Sequence, residues 1–124
     1  MILTLVTFKR YYRRGHVAML YLRMCFDRTD ATGLRAELLK QHREYVATFI
    51  EGRDGARVVQ GGPMLDETET GYRGSFLVVE AGTFTDVRAF HEGDPFTRAG
   101  LFDVVHLIPW ERHIGNDGAA PYEA

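Results

Sequence analysis

Apolar residues along this chain repeat with two different periods, and the switches between them mark out the elements. Val17 to Phe26 is a nearly unbroken run of large apolar residues ending in the polar turn Asp27-Arg-Thr-Asp30, which predicts a strand. From Gly33 to Glu51 the positions Leu34, Leu38, Leu39, Tyr45, Val46, Phe49 and Ile50 recur at steps of three and four. That spacing predicts a helix with one buried face, capped by Asp30 or Thr32 and followed by Gly52. Ala56 to Gln60 reads as a short second strand closed by Gly61-Gly62-Pro63, and Gly74 to Ala81 as a third. Thr83-Phe-Thr-Asp86 matches a capping box, and Phe84, Val87 and Phe90 give the helix it opens one apolar side before Gly93 stops it. A last strand runs from Leu101 to His113, where Pro109 lacks a ladder donor and so marks an edge or the end of regular pairing.

The order strand, helix, strand, strand, helix, strand is the split βαβ arrangement of an α+β, ferredoxin-like βαββαβ sheet. Helices cover one face of such a sheet only. With apolar residues on both sides of the strands, the simplest cover for the other face is a second copy of the chain, so a homodimer is expected. Residues 17–114 make one domain in this reading. Residues 1–16, with the cationic run Lys9-Arg-Tyr-Tyr-Arg-Arg14, form a leader or an extra strand, and residues 115–124 form a loose tail without periodicity.

Composition narrows the function classes. A chain of 124 residues can bury one core without disulfides or metals. A net charge of -2 gives no general attraction to phosphate backbones, which argues against a nucleic-acid partner. Cys25 is the only cysteine, so neither an internal disulfide nor a thiolate metal cluster can form within one chain. Met1 to Phe8 lacks the basic start and small-residue cleavage pattern of a secretory signal and is too short to span a bilayer. The expectation is a cytoplasmic protein with no membrane contact.

Two residues stand out chemically. His42 lies three or four residues from Leu38, Leu39, Tyr45 and Val46, so its imidazole falls inside the apolar stripe. Asp94 leaves the second helix through Gly93 and is held by Pro95, which fixes its own φ and restricts the residue before it. A carboxylate on one ring nitrogen would set the imidazole tautomer and leave the other nitrogen to take a proton near neutral pH. Each residue also has a plainer account: a core histidine bonded to a backbone carbonyl, and an aspartate capping a turn. Spacing does not decide between them.

Other candidates carry less. His91 is placed to compete for Asp94, whereas His106, His113 and His16 read as packing or surface groups. Gly61-Gly62-Pro63 either brings backbone close to a ligand or ends a strand, and it lacks the lysine and hydroxyl residue of a P-loop. No histidine pair or Cys/His cluster has metal-ligand spacing. Ser75 sits in no nucleophile elbow, and Cys25 lies within a strand, more buried than reactive.

Taken in order, His42 within Gln-His-Arg-Glu-Tyr-Val, Gly-Gly-Pro-Met64, Gly-Ser-Phe-Leu-Val-Val79, Asp-Pro-Phe-Thr-Arg-Ala-Gly-Leu101 and Pro109-Trp110 resemble the YCII-related family over residues 17–113. The opening residues from Met1 to His16 depart from that pattern. The resemblance implies a ferredoxin-like fold that dimerises as an α/β barrel, with a His–Asp pair at its active site, here His42 and Asp94. Some members of that family resemble muconolactone isomerases, and one is a dehydrochlorinating enzyme acting on a chlorinated aromatic. The expectation is a small enzyme with no cofactor and no metal, of lyase or isomerase type, acting on a cyclic or aromatic-derived substrate in an apolar pocket closed by Gly62, Pro63 and Phe96. The rival expectation is a non-catalytic dimeric module that binds a small ligand in the same cleft.

Overall fold

The computed structural model describes residues 18–115 and, before them, the backbone pairing of residues 12–13 with 16–17. The expectations for a leader and a tail therefore lie almost wholly outside the described residues. Two two-residue strands, β1 (Tyr12–Arg13) and β2 (His16–Val17), pair antiparallel in a sheet of their own. The rest is β3 (Met19–Asp27), α1 (Thr32–Ala47), β4 (Ala56–Leu65), β5 (Tyr72–Ala81), α2 (Phe84–Gly93), the four-residue α3 (Pro95–Arg98) and β6 (Phe102–Trp110). The main sheet is antiparallel in the order β4-β5-β3-β6, which is the ferredoxin-like topology.

Both edge strands carry a proline, Pro63 in β4 and Pro109 in β6, the positions where a missing N–H breaks no ladder between two strands. Several boundaries differ from those expected, each for a local reason. Gly61-Gly62-Pro63 does not end β4, which continues to Leu65 after a bulge between Val58 and Gln60. At Gly61 a Cβ would run into the Leu77 side chain and the Phe76 carbonyl, so β4 can lie flat there only with glycine. Helix α1 ends at Ala47, not Glu51, because the Thr48 hydroxyl turns back to the Tyr45 carbonyl at 2.7 Å and the chain swings Phe49 into the core. Its cap position is Ala31, without a side-chain bond, while Asp30 sits in the left-handed region with φ 64°. The Thr83 hydroxyl does cap α2, accepting from the Asp86 N–H at 3.1 Å. Helix α3 stands between Gly93 and the last strand, which ends at Trp110.

The helices pack on one face of the sheet. There Tyr21, Phe49, Leu77, Val79, Val87 and Phe90 form the larger core cluster, and Ala31, Phe96 and Leu101 form a smaller one beside α3. On the helix-free face, Leu22, Met24, Phe76, Val104, Ile108 and Trp110 share one side of three paired strands and are half-buried or exposed.

Candidate active site

Asp94 is the hinge between two helices: its backbone ends α2 and its side chain opens α3. The carboxylate accepts the Phe96 N–H at 2.9 Å, and Pro95 occupies the first helical position, where its missing N–H is no loss. The side chain is wholly buried. His42 reaches it from the middle of α1, its Nδ1 lying 2.9 and 3.0 Å from the two carboxylate oxygens. Because a carboxylate only accepts, Nδ1 carries the proton, and Nε2 has no hydrogen-bond partner among the described residues.

A third group enters from the sheet. Arg23 in β3 is fully buried and its Nη2 lies 2.9 Å from Asp94 Oδ2. The same guanidinium donates from Nε to His91 Nδ1 at 3.0 Å and from Nη2 to Thr97 Oγ1 at 3.2 Å, and it lies over the Phe90 and Phe102 rings. Among the described residues, Arg23 Nη1 is buried without a hydrogen-bond partner. Burial alone would raise the Asp94 pKa, but the bond from His42, the Arg23 charge and the Phe96 N–H outweigh it and hold the carboxyl below its ordinary value. Asp94 is therefore a carboxylate throughout the neutral range.

His91 does not compete with His42 for this carboxylate; it serves Arg23. To accept from Nε its Nδ1 must be unprotonated, and burial together with the Arg23 charge pushes its pKa down to about 4. Cys25 is inert by the same logic, since burial pushes its thiol up to about 11 despite the neighbouring guanidinium.

His42 stacks on Phe96 with ring centroids 4.0 Å apart, which fixes the imidazole plane. The other side of the site is a cleft of about 310 Å³ between α1 and the β4 edge of the sheet. Arg35, Leu39, His42 and Val46, spaced four, three and four residues apart on α1, line it, with Gly62 and Pro63 of β4 opposite. His42 retains 12% side-chain exposure, against none for Asp94, so the pair presents its imidazole and hides its carboxylate. Gly62 and Pro63 stand where the expected pocket wall was, whereas Phe96 is fully buried and supports the imidazole from beneath. At the far end of the α1 stripe, Arg35 donates from Nε and Nη2 to Asp27 at 2.6 and 2.9 Å and from Nη2 to Ser75 at 3.0 Å.

Sequence reasoning missed Arg23 and Arg35. Each had a signal. Arg23 shares strand parity with Tyr21 and Cys25, so it points to the helix-covered side, and Arg35 lies seven residues before His42, on the same helical stripe. Among the described residues, no group of three or more His, Cys, Asp or Glu side chains is placed to hold a metal. No helix among them is long and apolar enough to cross a membrane.

The model of the YCII-related domain matches residues 19–111. No curated protein matches the chain. Among solved structures, the chain is similar to 5-chloro-2-hydroxyhydroquinone dehydrochlorinase from Burkholderia phenoliruptrix AC1100, in complex with 2,5-dihydroxybenzoquinone. The two share 31% identity with a TM-score of 0.66, over 75% of this chain and 94% of the other. With the family model spanning the whole βαββαβ unit, the chain belongs to the YCII-related family.

Proposed function

We propose that this protein is a small enzyme of lyase or isomerase type, in which His42 is the general base and Asp94 orients it, acting on a small cyclic or aromatic-derived compound without a cofactor. The observation that carries this reading is the contact of His42 Nδ1 with Asp94 at 2.9 Å, made at the wall of a cleft. Nδ1–H held by a carboxylate leaves Nε2 as a fixed proton acceptor, and the imidazolium formed when it takes a proton is stabilised by Asp94. In a lyase, the electron pair of the broken C–H or O–H bond expels an anion from the substrate, and the proton leaves His42 for water. In an isomerase, the same proton returns to another substrate atom. The likeness to a dehydrochlorinase at 31% identity favours the first, and a cleft walled by Leu39, Val46 and Leu77 suits a ring more than a sugar or a phosphate ester.

A working unit of two chains belongs to the same proposal, supported by the apolar helix-free face of the sheet. Sedimentation of the purified protein tests it, with a monomer at micromolar concentration as the adverse result.

Chloride release from chlorinated hydroxyhydroquinones is the assay. His42→Ala is expected to lower turnover by about 10² to 10⁴ while the circular dichroism spectrum stays that of the folded protein. An unchanged rate in that variant sinks the proposal. Ligand binding without any turnover across hydroxylated and chlorinated rings favours the non-catalytic module.

A further inference from the structure

We infer that Arg35 is the anion-recognising residue of this cleft and that the ligand it selects is a small planar ring bearing an ionised oxygen, a phenolate or an enolate. This rests on the reading of His42 as the base and names what that base acts on.

Arg35 is an unusual cleft residue because it is 5% exposed and yet lines the hollow. Asp27 grips one edge of its guanidinium with two bonds, and Ser75 takes another from Nη2. Nη1 has no hydrogen-bond partner among the described residues and, unlike Arg23 Nη1, is not sealed from solvent. A donor held rigidly on one side and open on the other has already lost the conformational freedom that a surface arginine surrenders on binding.

The sign of the cleft points the same way. Arg35 and Arg43 line it and, among the described residues, no Asp or Glu does, while the remaining walls are mostly apolar. Such a lining favours a flat, largely apolar molecule with negative charge at one end. The spacing sets its size. The His42 ring lies 4.0 Å and the Arg35 guanidinium carbon 4.8 Å from the same Phe96 ring, so imidazole and guanidinium are at most about 9 Å apart. A six-membered ring with one oxygen directed at Arg35 puts its opposite edge within reach of His42. Charge left on the ring when His42 removes a proton is then delocalised toward an oxygen that Arg35 already holds.

The test is calorimetric titration with 2,5-dihydroxybenzoquinone, a vinylogous acid that is ionised at neutral pH, and with its neutral dimethyl ether. The wild-type protein is expected to bind the anion at least about tenfold more tightly than the ether. Arg35→Met should weaken the anion by roughly ten- to a hundredfold with the ether unchanged, and Arg35→Lys should fall between. Equal affinity of the wild type for both compounds, no binding of the anion, or an Arg35→Met variant that holds the anion as tightly as the wild type overturns the inference. Should Arg35→Met fail to fold, the anion-to-ether ratio in the wild type and in Arg35→Lys decides alone. These readouts need no turnover. Loss of activity in His42→Ala with anion affinity unaltered in Arg35→Met leaves the enzyme reading standing and removes this one; the converse pattern does the reverse.

Discussion

The layer between sheet and helices is divided into two halves of opposite character. Around Phe49, Val79, Val87 and Phe90 it is an ordinary hydrocarbon core in which every buried contact gains by leaving water. Around Phe96 and Leu101 the same layer holds Arg23, Asp94, His91 and Arg35, all buried. The first half could accept many apolar substitutions of similar volume. The second is a network in which Arg23 serves Asp94 and His91, Asp94 serves His42, and removal of one member strands another. Buried ion pairs are weak devices for stability, since desolvation offsets most of their attraction. Through Arg35 and His42 the polar half reaches the wall of the cleft.

Breaking the network gives the largest stability effect. Asp94→Leu leaves the Arg23 guanidinium buried without its counter-charge and is expected to cost about 3–5 kcal/mol in urea unfolding. The double variant Arg23→Met/Asp94→Leu should recover most of that loss, because the stranded charge goes with its partner. A double variant no more stable than the single one would erase the contrast between the halves.

A pH comparison sharpens it. His91 has a pKa of about 4 in the folded protein against an ordinary value near 6.5, so between those values the unfolded chain binds the extra proton. Its contribution is complete above about pH 6.5 and is lost as the pH falls toward 4, a change on the order of 3 kcal/mol. His91→Gln is expected to flatten the stability profile between pH 7 and 4.5. An unchanged slope in that variant means that some other group supplies it. Asp94 acts with the same sign but at lower pH, since its pKa lies below the ordinary carboxylate value.

The smallest effect belongs to the hydrocarbon half. Thr83→Ala removes the acceptor for the Asp86 N–H at the start of α2 and is expected to cost about 1 kcal/mol, equally at pH 7 and pH 4.5. A pH-dependent loss there would show that the two halves are coupled through α2.

The orientations of His42 and Asp94 were legible in the sequence. Helical phase turned the imidazole inward, and Pro95 after a helix-ending glycine fixed the carboxylate, both being consequences of local backbone geometry. The arginines were not, although their positions in the pattern were visible. A charge in an apolar run is normally solvated, and only a buried partner reverses that expectation. Arg23 finds Asp94 seventy-one residues on, and Arg35, on a helix, finds Asp27 and Ser75 on two strands of the sheet.

Local sequence also set the order of elements and, through its alternating and helical periods, which side of each faces inward. It could not say that Gly61-Gly62-Pro63 continues a strand, because its flat passage depends on Leu77 and Phe76 of the neighbouring strand. Nor could it bring together a histidine and an aspartate 52 residues apart. That meeting follows from α1 and α3 packing side by side over the sheet, a placement made by strand order and core packing. Periodicity acts over a few residues, whereas the carboxylate that bonds His42 arrives from across the fold.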